Sequence, residues 1–227
     1  MSASDGFVIG TTKVVDHGPA ADRWNLVILS DGYQSSEMTK FHTDVIDFID
    51  KMYATPPYDE VWCGINVYRV DVASDESSAD NPVACPEGDG TAVDTYFNST
   101  FCADGVTHRL LAADAGIAMD VATDQVPEVD QVLGLVNTAI YGGAGGSIAT
   151  SSTNPSAAEI AIHEIGHSAY NFADEYDCGY PTNNYAGGEP GEPNVTIADD
   201  AVGKWDDIIA GGTATPTMSN PDCTACN

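Results

Sequence analysis

The stretch "RWNLVILSDGY" (residues 23–33) holds an unbroken apolar run, Leu26 to Leu29, that ends in the turn-like pair Asp31-Gly32. Four apolar residues closed by a turn signal read as a buried strand. In the segment that follows, Met38, Phe41, Val45, Phe48, Ile49 and Met52 recur at helical spacing, behind Ser35 or Ser36 as a cap. Pro56-Pro57 stops that helix. A second strand is expected over "INVYRVDVAS" (65–74), where Ile65, Val67, Val70 and Val72 alternate loosely around Arg69. Strand, helix and strand in that order predict a crossover connection and a parallel pair. The fold class that follows is α/β or mixed α+β, a twisted sheet with flanking helices.

Further along, residues 74–105 form a long polar segment holding Cys85 and Cys102, and a bridge between them would order it. "HRLLAADAGIAMDVA" (108–122) predicts a helix that gives way near Gly116, and Val132 to Val136 a strongly apolar strand. The glycine-rich turn at 142–146 lacks the Gly-Lys-Ser/Thr ending of a phosphate loop and opens no helix, so a nucleotide is not expected there. "SIATSS" (147–152) reads as an edge strand. Ser156 and Glu159 then have capping-box spacing at the head of another helix. With no internal repeat and no linker, the 227 residues are expected to make a single domain, with an N-terminal lobe of about 1–167 and a smaller C-terminal lobe of about 168–227.

Composition narrows the function. Acidic residues number 35 against 7 basic ones, a formal net charge of −28. Such a surface repels nucleic acid and anionic membrane and favours cationic partners. Six cysteines read as disulfides in an oxidising compartment, because only Cys223 and Cys226 have ligand-like spacing and no second pair completes a zinc-thiolate site. Asn98-Ser99-Thr100 and Asn194-Val195-Thr196 match the glycosylation acceptor pattern. No stretch is apolar enough to span a membrane. "MSASDGF" lacks the basic start and apolar core of a signal peptide, so a secreted or periplasmic protein would have lost its signal. Asp71, Asp75, Asp80, Asp89 and Asp94 make calcium possible, although they lack the spacing of a 12-residue calcium loop.

The chemistry is concentrated in "AIHEIGHSAYNFADEY" (161–176). His163 and His167, four residues apart, project from one helical face within reach of a single zinc ion. Glu164 is rotated by about 100° from His163, beside such a metal without binding it, where it can act as general base. Shuffling this composition yields the five-residue pattern in roughly four chains per thousand, so chance is a poor account of it. No histidine follows His167, so a third ligand must be a carboxylate. Asp174 is favoured, with Glu175 the alternative and Asp177 a further candidate.

"HEIGHSAYNFADEY" resembles the signature of the IgA-peptidase family of bacterial secreted zinc metallopeptidases. The resemblance extends to "LVILSDGYQSSEMTKFHTDVIDFI", "INVYRVDVASDESSAD", "VDTYF" and "LVNTAIYGGAGGSIATSS", and covers roughly residues 24–226. It implies a metzincin-like catalytic domain. Its active-site helix would lie under the sheet, and an edge strand near Tyr141–Ile148 would align an extended substrate. It also implies that Met218 forms a hydrophobic floor beneath the ligands, although Ser219 stands where an arginine is expected. Tyr176 is the nearest candidate to stabilise the developing oxyanion.

The leading expectation is therefore a secreted zinc endopeptidase acting on protein or peptide. Two alternatives compete with it. One is a catalytically inactive metallopeptidase-like module for binding or adhesion, which the intact motif disfavours. The other is a zinc hydrolase of a non-peptide substrate, which a strand edge beside the helix disfavours.

Overall fold

A computed structural model of the chain describes residues 5–174, 187–197, 203–210 and 212. Two compact units divide it, Met1–Ala169 and Tyr170–Asn227. The first unit is a mixed α/β fold built on six strands. In chain order it runs β1 (Gly6–Val15), β2 (Trp24–Asp31), α1 (Met38–Tyr53), α2 (Tyr58–Val61), β3 (Ile65–Ser74), α3 (Ala115–Gln125), β4 (Gln131–Val136), β5 (Gly143–Ala144), β6 (Ala149–Ser152) and α4 (Ala157–Tyr170).

The strands lie in the order β1-β3-β2-β4-β6-β5. The expected parallel pair is present: Leu26 faces Val67 and Leu29 faces Val70 across β2 and β3. Strand β4 pairs parallel with the other side of β2, and β6 parallel with β4. Leu26, Val27, Ile28 and Leu29 are all fully buried because β2 is covered on both faces. Leu26 and Ile28 pack with Phe41, Val45 and Phe48 of α1 and with Ala161 and Ile165 of α4. Val27 and Leu29 meet Val70, Val72, Val132 and the α3 alanines, Ala118 and Ala122, on the opposite face. Each buried Val, Leu, Ile or Phe among them contributes about 1.5–3 kcal/mol on burial.

Four expectations change in detail. Ser35 and Ser36 lie inside a 3-10 turn that leads into α1, and the turn is closed by the Gln34 N–H donating to Glu37 Oε2 at 2.9 Å. Residues 108–114 are not helical: α3 starts at Ala115, with Asp114 as N-cap accepting from the N–H groups of Gly116 and Ile117. Strand β6 is interior, and the edge lies outside it at β5, which pairs antiparallel. Glu159, half of the expected capping box, instead pairs with Lys51 at 2.7 Å.

Strand β1 has no clear sequence signal. It pairs antiparallel with β3, with register shifts at Val8/Gly10 and Lys13/Val15. Phe7 and Ile9 point outward, so its apolar residues mark no buried face.

The long 74–105 segment is anchored in two ways. Cys85 and Cys102 form a disulfide, while Cys63 is a free, exposed thiol and the remaining three cysteines lie outside the described residues. The second anchor is Asp31 at the end of β2, buried to 1% exposure. Its carboxylate accepts from Phe97 N–H (2.9 Å), Thr95 Oγ1 (3.1 Å), Ser74 Oγ (3.2 Å) and Ser99 N–H (3.2 Å), and from Ser99 Oγ. Burial pushes the Asp31 carboxyl above its ordinary pKa, against the pull of these donors.

Among the described residues of the second unit, Lys204 is the hub. Its ammonium donates to the carbonyls of Pro190 (2.9 Å), Glu192 (2.7 Å) and Val195, and pairs with Glu189 at 3.0 Å. Hydrogen bonding to Lys204 holds the Glu189 carboxyl below the usual carboxylate range.

Candidate metal centre

Helix α4 is amphipathic in the sense the sequence requires. Ile160, Ala161 and Ile165 are buried, while His163 is exposed and Glu164 and His167 are half-buried. The two imidazoles meet one turn apart. Their Nε2 atoms are 3.0 Å apart, with ring planes at 89°. Two nitrogen lone pairs face one another at that distance only with a proton or a cation between them. Two nitrogens bound to one tetrahedral zinc at about 2.0–2.1 Å stand about 3.3 Å apart, so the pair fits a shared metal.

One ligand atom each from His163, His167 and Asp174 lies within 4.8 Å of the others, a nitrogen-nitrogen-oxygen set suited to a transition metal. No other such group of three occurs among the described residues. The five aspartates considered for calcium are not grouped; Asp80 and Asp89 accept from the N–H groups of Val93 and Thr91, and Asp71 holds Arg69 and His42. Glu175, Tyr176, Asp177 and Met218 lie outside the described residues.

Sequence reasoning missed what the glycines of 142–146 do. A Cβ on Gly143 would lie 2.5 Å from Ile160 Cγ2, 2.8 Å from the Thr150 carbonyl oxygen and 3.1 Å from Glu164 Cγ. One on Gly145 would lie 2.6 Å from His167 Cβ and 3.3 Å from Glu164 Oε2. Only bare backbone fits, so the glycines bring the sheet edge against the face of α4 that carries Glu164 and His167. Ser168 ties the two together, donating to the Glu164 carbonyl at 2.8 Å and accepting from Gly146 N–H at 3.2 Å.

This edge is less open than a bare strand. Gly143 N–H donates to the Arg109 carbonyl at 3.1 Å, and Leu111 N–H donates to the Gly143 carbonyl at 3.2 Å. The outward groups of Gly143 are thus already paired. The backbone of Gly145, next on the same side, makes no hydrogen bond among the described residues.

Asn194, marked in the sequence as a glycosylation acceptor, spends its amide on the chain beside Asp174. It accepts from Ala173 N–H at 2.8 Å and donates to the Ala173 carbonyl at 2.9 Å. No sequence signal could have linked positions 173 and 194.

A helix bearing two convergent imidazoles and a carboxylate, set against a sheet edge, is the equipment of a peptidase. The chain belongs to the IgA Peptidase M64 family, whose model matches residues 12–224. Peptidases of this family are in general metallopeptidases, and they act on protein. Among curated proteins no sequence matches the chain. No helix among the described residues is long and apolar enough to cross a membrane, and this, with the disulfide, is compatible with an extracellular protein.

Proposed function

We propose that the chain is a secreted zinc endopeptidase, folded as one metzincin-like catalytic domain. In this reading His163, His167 and Asp174 hold the zinc, with Glu175 as the alternative carboxylate. Zinc bound there would polarise a peptide carbonyl and make a nearby water more acidic. Glu164 takes a proton from the attacking water and returns it to the leaving amine. The same helical turn that joins His163 to His167 keeps Glu164 beside them, and contact with the glycine edge limits its rotamers. An extended substrate runs along that edge, where Gly145 offers an N–H and carbonyl that are unpaired among the described residues for a strand-like contact. Tyr176 as oxyanion donor, and Met218 in the floor role that the family resemblance implies, belong to the same reading.

One observation carries the proposal: the 3.0 Å approach of two imidazole nitrogens, with Glu164 on the same turn and the sheet edge against it. The test combines metal content with turnover. Purified protein should hold one zinc per chain and cleave casein. Glu164→Gln should keep the zinc and lose cleavage by several orders of magnitude. Asp174→Ala should lose zinc; if it keeps zinc, the third ligand moves to Glu175. A wild type that takes up no zinc overturns the metal reading, and full activity in Glu164→Gln overturns the assignment of the base.

A further inference from the structure

The chain has 7 basic residues to set against 35 acidic ones, and nearly all of them are spent. Lys13, Lys40, Lys51, Arg69 and Lys204 each pair with a carboxylate at 2.6–3.0 Å. Arg23 donates to the carbonyls of His17 and Asp22 at 2.8 Å. The exception is Arg109, which is exposed and whose guanidinium makes no hydrogen bond or ion pair among the described residues. The aspartates on either side of it in the chain are turned elsewhere. Asp104 accepts from the N–H groups of Val106 (2.9 Å) and Thr107 (2.7 Å), and Asp114 from those of Gly116 and Ile117.

The backbone that carries Arg109 is pinned on both sides. Cys102 N–H donates to the His108 carbonyl at 3.2 Å and Ala103 N–H to the Leu110 carbonyl at 3.1 Å, while the Arg109 carbonyl accepts from Gly143 N–H at 3.1 Å. Cys102 is held in turn by its bridge to Cys85, and the His108 ring is stacked on Phe101 and bonded to Asn81 Oδ1 at 2.9 Å. A free cation thus stands on a fixed base at the rim of the sheet. A Cβ on Gly143 would lie 3.1 Å from Glu164 Cγ, so with ordinary bond lengths the Arg109 α-carbon is no more than about 12 Å from that atom. An extended chain advances about 3.3 Å per residue, which puts Arg109 about two to four residues from a bond held at Glu164.

Resting on the peptidase reading, we propose that Arg109 is a specificity-determining residue that binds the carboxylate of an aspartate or glutamate side chain in the substrate, two to four residues from the scissile bond on one side. A guanidinium matches a carboxylate with two parallel N–H···O bonds. This local preference opposes the global one. A net charge of −28 repels an acidic side chain wherever it stands in the peptide, and Arg109 reverses that sign at one position. Because the pair is exposed, it changes kcat/KM by about 2- to 5-fold and is screened by salt.

The experiment measures kcat/KM for zinc-loaded protein on one casein-derived peptide, acetylated and amidated at its ends. Glu, Gln or Lys is placed in turn at each of the positions flanking the cut. At low salt, wild type should favour Glu over Gln about 2- to 5-fold at a single position and disfavour it at the others, and about 0.5 M salt should level the difference. Arg109→Glu should invert the order at that position, so that Lys is preferred there. Arg109→Gln should remove the Glu preference, and it carries the test alone if Arg109→Glu lacks a wild-type circular dichroism spectrum. A residue with a structural role only would lower all peptides together and leave their order unchanged. No position favouring Glu, or a Glu preference that survives both substitutions, overturns the assignment of Arg109 and leaves the peptidase reading intact. No cleavage of any peptide by zinc-loaded wild type overturns both.

Discussion

Replacing Gly143 by alanine is expected to destabilise the first unit by about 1–3 kcal/mol, the usual cost of overpacking. The new methyl would lie 2.5 Å from Ile160 Cγ2 and 2.8 Å from the Thr150 carbonyl oxygen. Ordinary carbon contacts begin near 3.5 Å, so the strand must retreat from α4 by about 1 Å. The carbonyl belongs to the partner strand β6, and its oxygen cannot swing aside as a flexible side chain would. For a chain of this size the loss corresponds to a drop in Tm of roughly 2–12 °C. Gly146→Ala is the internal control. Its methyl would meet only the Ile148 carbonyl oxygen at 3.9 Å, and its Tm should stay within about 1 °C of wild type. Thermal unfolding followed by circular dichroism reads both. Equal melting temperatures for Gly143→Ala and wild type would refute the claim that these glycines exist for close approach to α4. The retreat also carries the edge away from Glu164, so peptide turnover should fall by up to about 100-fold.

Asn194→Ala should weaken metal binding about 10- to 100-fold in a competition titration with a chromogenic chelator, because Ala173 beside Asp174 loses both of its side-chain bonds; unchanged affinity would make Asn194 a purely structural residue. Removing the Cys85–Cys102 bridge, which closes a separation of 17 residues, should cost about 3 kcal/mol in urea unfolding. Asp31→Asn should change the pH dependence of stability in a defined direction. The folded-state pKa of Asp31 is raised, so above its unfolded value the folded chain binds the extra proton and stability falls as pH rises. Wild type should therefore gain stability relative to Asp31→Asn as pH is lowered from about 7 to about 4, and a difference constant across that range would contradict the direction of the shift.

The elements legible in the sequence are those whose burial is two-sided or strongly periodic. Strands β2 and β4 show continuous apolar runs because both faces are covered, and α1 shows Phe41, Val45, Phe48 and Met52 because one face is. Strand β1 was not legible, since Phe7 and Ile9 face solvent and bulges break its alternation. That β5 and not β6 forms the rim of the sheet depends on pairing across distant segments, and local pattern carries no record of that. The candidate site divides the same way. His163, Glu164 and His167 are written in a spacing that a helix alone makes meaningful. The contacts of Gly143, Gly145 and Asn194 arise only once separate segments have met.

The pairing of Gly143 with Arg109 and Leu111 has a consequence for association of copies through the β5 rim. A long bare rim would be a template onto which other copies could stack, strand upon strand. Here the rim is sealed at Gly143 by the backbone of Arg109 and Leu111, and at Gly146 by Ser168. Among the described residues, what remains open beside β5 is a landing place one peptide unit long. At this rim, one open peptide unit is too little for a second copy to extend the sheet.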